Sequence, residues 1–325
     1  MSTLYIDHKN MELRQGTGCI NVYLNNKKQS SIPFSMLHRI VIYQQIQLNS
    51  LLLFNLAHQG IAITFLKQGK RKQAAVVLGN LHNDGRRRIR QYQLSETVGF
   101  QSQVALVLVR SKLNFQLKLL YRMQKYRLDL RFKVTKAIKQ IEKSRDQLKH
   151  TNSYENNYLL GIEGASAAAY FNAYCSLFAE SLSFTSRQRR PPPDPVNACL
   201  SLGYSLLHNE AIQISYASGL DPFIGFYHRL DYGRESLCCD LIEFLRWRID
   251  QLIWYLFRER LLTPEMFSSV NGGIQLNKKG RQIFFSHYES AAKKYRRILR
   301  LLCFRLIRAM ETYRQESNDK GMRNK

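Results

Sequence analysis

The chain has 325 residues, 49 Lys and Arg against 24 Asp and Glu for a formal net charge of +25, and 45% hydrophobic and 11% aromatic content. That much apolar material builds real cores, so the charge is not that of a disordered basic tail, and a chain of this length usually divides into two domains. A membrane-spanning helix is excluded because no run of about 18 apolar residues exists; even Val104 to Val109 closes on Arg110 and Lys112.

The start, Met1-Ser-Thr-Leu-Tyr-Ile-Asp-His8, has neither the basic opening nor the apolar core of a signal peptide. A soluble, cytoplasmic protein with no membrane attachment is therefore expected. Its surplus positive charge suits a polyanion, and supplies the sequence-independent affinity that nucleic-acid binding needs. The six cysteines show no CxxC spacing and read as buried free thiols.

Residues 1–85 read as a β-rich domain. Short β-branched runs at 4–6, 20–24, 40–43, 61–66 and 74–78 end in Asn, Gly, Lys or Gln. One helix interrupts them, with Ser50 as its expected N-cap and Gly60 as its stop. Lys67-Gln-Gly-Lys70 has the chemistry of a hairpin turn.

After Gly79 the texture changes. Gly85-Arg-Arg-Arg-Ile-Arg90 marks residues 86–100 as a polar linker into a larger all-α domain over 101–314, with a frayed tail at 315–325. Residues 101–150 lack Pro and Gly, and their apolar residues recur at helical spacing. This stretch is strongly one-signed in charge, which favours a helix lying along a phosphate backbone over a solvated face. Further helices are expected at 156–178, at 197–208, from 237 past 254, and at 290–314. Between two of them, Arg187-Gln-Arg-Arg-Pro-Pro-Pro-Asp-Pro195 is a stiff extended connector with a basic start, either a plain linker or a DNA contact. The fold class is thus α+β, a β-strand domain followed by a helical one.

Four side chains are candidates for the chemistry. Glu163 sits among apolar and very small residues, Leu159-Leu-Gly-Ile-Glu-Gly-Ala-Ser-Ala-Ala-Ala-Tyr-Phe171, where a carboxylate needs a compensating cation. His228 ends Gly225-Phe-Tyr-His228, a loop-like stretch before a helix. On that helix Asp240 and Glu243 are three apart and share a face, so something positive must stand beside them. Arg246 or Arg248 is one answer. The other is a divalent metal shared with Glu163 and His228, for which oxygen ligands with one imidazole suit Mg²⁺ or Mn²⁺.

Four segments in order resemble the CRISPR-associated spacer-integration endonuclease family, protein one of the CRISPR adaptation pair. They are Leu160-Gly-Ile-Glu-Gly with Tyr170-Phe171; Arg189-Arg-Pro-Pro-Pro-Asp-Pro-Val-Asn-Ala198 with Gly203-Tyr204; Gly219-Leu-Asp-Pro-Phe-Ile-Gly-Phe-Tyr-His228; and Ser236-Leu-Cys-Cys-Asp-Leu-Ile-Glu243. The N-terminal part is also similar, in Ser31-Ile-Pro-Phe, Arg39-Ile-Val-Ile-Tyr43 and Gly60-Ile-Ala-Ile-Thr-Phe-Leu66. Two departures stand out. Ala168-Ala169 replace an Arg before the Tyr-Phe pair, and Phe244-Leu-Arg-Trp247 replaces an acidic continuation ending Arg-Pro.

The resemblance implies an N-terminal dimerisation domain, a metal held by Glu163, His228 and Glu243, and Asp240 as their acidic neighbour. It also implies a homodimer bridged by a small ferredoxin-like partner, CRISPR-associated protein two, into a heterohexamer. The implied reaction is metal-dependent transesterification of double-stranded DNA, inserting short fragments at a CRISPR repeat, with nuclease activity on branched or linear DNA. Arg86, Arg87, Arg88, Arg90, Arg187, Arg189 and Arg190 are the expected DNA contacts. The competing readings are a non-catalytic nucleic-acid scaffold with a salt-bridged acidic cluster, and a repair nuclease unconnected with CRISPR.

Overall fold

The computed structural model describes residues 2–66, 74–79, 82–149, 155–189, 191–270 and 272–323. The N-terminal part contains β1 (Ser2–Ile6), β2 (Met11–Gly16), β3 (Cys19–Leu24), β4 (Lys27–Pro33), β5 (Leu37–Ile42), β6 (Gln47–Leu48), α1 (Ser50–His58), β7 (Ala62–Leu66) and β8 (Ala74–Val77). The strands form two sheets, ordered β1-β5-β7-β8 and β4-β3-β2-β6. In the first, β5 runs parallel to both β1 and β7, and β8 is antiparallel.

Strand β5 is the spine of this part. Ile40 and Ile42 face a cluster with Ile6, Leu13, Ile20, Leu52, Leu56 and Ile63 between the sheets and α1. Val41, on the opposite face, belongs to the large helical core. A strand covered on both faces reads as a continuous apolar run, which is why this segment was legible. Strands β2 and β4 were not, because their residues are mostly polar and β4 is almost wholly exposed. Local turn chemistry makes them instead. Asn25 and Asn26 both have positive φ (49° and 62°) in the two-residue connection between Leu24 and Lys27, a tight hairpin that Asn tolerates.

The helix cap differs from the expected one. Asn49, not Ser50, caps α1, its side chain accepting the N–H of Leu51 at 2.8 Å. Gly60 does end the helix, with φ +70°. The Lys67–Lys70 turn lies outside the described residues.

The second part comprises α2 (Gly85–Ser95), α3 (Val98–Tyr126), α4 (Arg131–Gln147), α5 (Asn156–Cys175), α6 (Pro195–Ala217), α7 (Ser236–Glu243), α8 (Arg246–Arg258), β9 (Phe267–Val270), β10 (Gly273–Leu276) and α9 (Lys278–Arg323). Residues 86–100, expected as a linker, are helical. Asp84 caps α2 by accepting the N–H of Arg86 at 3.0 Å, and Arg87 and Arg90 tie the helix to the rest of the fold. The long helix expected from 101 breaks at residues 127–130, and α9 starts before residue 290 and continues beyond 314. The helical part also carries a short antiparallel hairpin, β9–β10, which the Pro-rich connector braces: Ile274 N–H donates to the carbonyl of Pro192 at 2.8 Å.

The two parts are locked together. Arg39 on β5 and Glu210 on α6 are both fully buried and 2.8 Å apart, and Arg296 on α9 reaches the same carboxylate at 3.0 Å. Tyr5 stacks on Phe285 with ring centroids 4.4 Å apart, and Arg281 pairs with Asp7 at 2.8 Å. Among the described residues no helix is long and apolar enough to cross a membrane.

Candidate active site

A cleft of about 1140 Å³ opens where β8 meets the helices, and Glu163, His228 and Glu243 all line it. Their positions come from three separate elements. Glu163 lies midway along α5, Glu243 ends α7, and His228 lies in the loop that leads into α7. That loop is held from below by α2. The buried amide of Gln91 donates to the carbonyls of Asp221 (2.9 Å) and Ile224 (2.7 Å) and accepts the Asp221 N–H at 2.8 Å.

Asp240 fixes the loop from the other side. One of its carboxylate oxygens accepts the N–H groups of Phe226 (2.7 Å) and Tyr227 (3.2 Å); the other accepts the N–H of His228 at 3.0 Å and stands 2.6 Å from His228 Nδ1. Gly225 is required for this approach, since a Cβ there would lie 2.9 Å from the Asp240 carboxylate and 2.8 Å from the Ser236 backbone. With Nδ1–H donated to a carboxylate, the lone pair of His228 resides on Nε2, the usual arrangement behind a metal-binding imidazole. Asp240 itself is saturated with donors, which makes it a positioning residue.

The carboxylates of Glu163 and Glu243 are each held at one oxygen by a fixed partner. Tyr227 donates its hydroxyl to Glu163 Oε2, and Arg246 Nε stands 2.7 Å from Glu243 Oε1. The remaining two oxygens face a common cation, the ammonium of Lys112 on α3, at 2.5 Å from Glu163 Oε1 and 2.8 Å from Glu243 Oε2. Both contacts of Glu243, to Lys112 and to Arg246, are contacts of charge, because neither Glu243 Oε2 nor Arg246 Nε has a hydrogen-bond partner in good alignment. Burial alone would push the Glu243 carboxyl up; Arg246 and Lys112 outweigh it and hold the group at about 2. Burial likewise opposes the charge on Lys112, yet Glu243 and Glu163 raise its pKa above the ordinary lysine value.

The carboxylates named from the sequence thus lie in one cleft, and the structure supplies the partners that the sequence left open. Arg246 does pair with Glu243. Arg248 does not; its guanidinium lies over Trp247, 4.4 Å from the ring centroid. Lys112 was missed. Its only signal is a second cation, after Arg110, between buried Val109 and buried Leu113. Among the described residues no group of three or more His, Cys, Asp or Glu is closed on a metal position, and Lys112 stands between the two carboxylates. The donor set nonetheless fits a hard divalent ion: two anionic oxygens reaching one shared cation, in a cleft with an imidazole whose tautomer is fixed.

Basic residues line the same cleft. Arg187 donates to Asn197 Oδ1 at 2.8 Å and Ser201 Oγ at 3.2 Å, both neutral groups. Burial, helped by the charges of Arg189 and Arg246, lowers its pKa below the usual guanidinium value. Such a group gains from an incoming anion. Exposed Arg189 also lines the cleft, whereas Arg190 lies outside the described residues. Arg86, Arg87, Arg88 and Arg90 do not line it. Arg87 donates to the carbonyl of Ser218 at 2.9 Å and Arg90 pairs with Glu311 at 3.6 Å, so both hold α2 in place. Arg86 is exposed on α2.

In the wall of the same cleft, Tyr170 and Tyr204 donate to the two carboxylate oxygens of buried Asp250, and Tyr174 donates to its backbone carbonyl at 2.8 Å. Arg187 and Arg246 in turn pack over the Tyr204 ring, 5.5 and 5.1 Å from its centroid. This network was not visible in the sequence, where Tyr170 and Tyr204 stand out only as parts of the segments that carry the family resemblance.

The profile of the family described as CRISPR associated protein Cas1 matches residues 4–290. The chain is 39% identical over 302 residues to the CRISPR-associated endonuclease Cas1 1 of Thermodesulfovibrio yellowstonii, covering 92% of this chain and 94% of that one. Among solved structures, a Cas1 protein from Thermotoga maritima superposes with a TM-score of 0.79 at 22% identity, covering 95% and 97% of the two chains. A casposase bound to integration product gives 0.81 at 18% identity, covering 96% and 91%. At those identities the two structures speak for the fold.

Proposed function

The chain belongs to the Cas1 family of CRISPR-associated proteins, and from that premise we propose how its cleft carries out the reaction. It is a CRISPR-associated DNA endonuclease and integrase. The reaction we assign is transesterification, in which the 3′-OH of a short DNA duplex attacks a phosphate at the edge of a CRISPR repeat. The observation that carries this reading is the pair of carboxylate oxygens, Glu163 Oε1 and Glu243 Oε2, aimed at one cation position in a cleft lined by Arg187 and Arg189.

Glu163, Glu243 and Nε2 of His228 would hold the metal, Mg²⁺ or Mn²⁺. When bound, such an ion supplies charge stabilisation at the scissile phosphate and favours the deprotonated attacking oxygen. Tyr227 holds the Glu163 carboxylate in its orientation, and Asp240 holds the His228 ring. Arg187 and Arg189 supply positive charge for the phosphate backbone beside the reacting bond. With water as nucleophile the same arrangement is a nuclease, and run in reverse it resolves branched DNA.

Assembly follows from the same premise. A homodimer would form through residues 1–85, where Leu51 and Phe54, three apart on α1, are 58% and 64% exposed. Two dimers bridged by CRISPR-associated protein two would bring two clefts to the ends of one DNA fragment. Light scattering of the full chain and of Leu51→Glu/Phe54→Glu tests the interface: a dimer becoming a monomer supports it, and an unaltered dimer removes it.

The reaction itself is tested with Glu163→Gln. The variant should bind DNA at near-native strength and join no strands with either metal. Strand joining by this variant, or by wild type with all divalent ions chelated, would overturn the assignment.

A further inference from the structure

We propose that Lys112 is a resident cation that competes with the divalent metal for Glu163 and Glu243, and that metal uptake requires its ammonium to leave the pair. The inference rests on the metal reading above and assigns a role to a residue that reading does not use.

The geometry separates fixed partners from a movable one. Glu163 keeps one oxygen on Tyr227 and Glu243 keeps one on Arg246. The two oxygens left over are those on Lys112. The carboxylates are therefore oriented without Lys112, and what it contributes is the charge between them. Two buried carboxylates with nothing positive between them repel, so the metal-free protein needs a cation there. Arg246 serves Glu243 alone among the described residues, from three positions along the chain.

Lys112 is built for exchange. A lysine ammonium is a compact point charge on a four-carbon stem that swings through several rotamers, unlike the planar fork of arginine. Its backbone is fixed on α3, and its side chain lines the cleft and is 17% exposed, so there is open space into which it can swing. After displacement the ammonium stays tethered to the cleft wall, where it can meet a phosphate oxygen. Metal and lysine thus exclude one another at the carboxylates, and competition of this kind must weaken metal binding in the DNA-free protein.

The test is a Mn²⁺ titration of the full-length, DNA-free chain, followed by the electron paramagnetic resonance signal of free Mn²⁺. It compares wild type, Lys112→Met, Lys112→Gln and Glu163→Gln. Lys112→Met and Lys112→Gln should each bind Mn²⁺ about tenfold more tightly than wild type, within the usual range of coupling between two ligands. Glu163→Gln should lose the site.

Thermal unfolding supplies a second readout. Without metal both lysine variants should melt below wild type, and Mn²⁺ should raise their Tm by more than it raises that of wild type. A variant that folds only with Mn²⁺ also supports competition. Equal or weaker binding by both lysine variants overturns it while leaving the metal site standing. So does failure of both to fold with Mn²⁺ present, since the ammonium is then a structural cation that metal cannot replace. If no protein shows a site that depends on Glu163, the metal reading fails and the inference falls with it.

Discussion

The imidazole Nδ1 of His228 stands 2.6 Å from Oδ1 of Asp240, and the same carboxylate gathers the backbone N–H groups of three consecutive residues, Phe226, Tyr227 and His228. One side chain on α7 thereby sets both the path of the loop and the tautomer of the ring. Asp240→Asn puts an amide donor where an acceptor is needed, and it should leave the fold intact while disordering the His228 ring. Mn²⁺ affinity should fall by about 10–100-fold, as is usual when the partner of a metal-binding histidine is removed. Calorimetric titration would measure it, and an unchanged affinity would remove Asp240 from the site.

Arg187 and Arg189 face the cleft without carboxylate partners among the described residues, whereas Arg87 and Arg90 are committed to α2. Removing Arg187 and Arg189 together should weaken DNA binding similarly across sequences and reduce the slope of log affinity against log salt by about one per lost phosphate contact. Removing Arg87 and Arg90 should instead lower the melting temperature. A salt slope unaltered by Arg187→Ala/Arg189→Ala would place the backbone contacts elsewhere.

Glu210 is the hinge of the junction between the two parts. Deleting it strands Arg39, which is fully buried and has no other ion pair among the described residues. Arg296 is better off, since it keeps Glu289 at 2.5 Å. Leaving a buried charge uncompensated costs about 3–5 kcal/mol, so Glu210→Ala should lose most of a normal domain's stability in urea unfolding. A loss below about 1 kcal/mol would mean that Arg39 finds another partner.

Asp250, in the same cleft but not among the proposed ligands, gives a pH signature. Burial raises its carboxyl from 3.8 to about 6, against the hydrogen bonds of Tyr204 and Tyr170 that favour the ionised form. Between those values the native protein holds a proton that the unfolded chain has released, so stability falls as pH rises through that window and is flat above it. The span corresponds to about 3 kcal/mol. Asp250→Asn should remove this slope, which denaturant titrations from pH 4 to 7 would show. Parallel pH profiles for the two proteins would mean that Asp250 ionises normally.

Read along the chain alone, the residues gave the order of the two parts and the β-branched strands, and pointed to Glu163, His228, Asp240 and Glu243 as candidate site residues. These are local signals: apolar periodicity for the elements, and charge in apolar surroundings for the site. Elements whose side chains carry no such signal were lost. Polar β2 and β4 are made by tight turns, and arginine-rich α2 by the Asp84 cap and by its grip on the His228 loop.

Which cation meets which carboxylate is set by the packing of the helices. Glu163 and Glu243 lie on different helices, and Lys112 joins them from a third. No spacing along the chain encodes that meeting, because an ion pair depends on distance in space and on shared burial. The arginines show the same division. Charge alone placed seven on the list of DNA contacts, and packing then assigned Arg87 and Arg90 to the scaffold while turning Arg187 and Arg189 toward the cleft. Charge counts are additive along a sequence, but whether a charge faces solvent, a carboxylate or a phosphate is fixed only when helices pack.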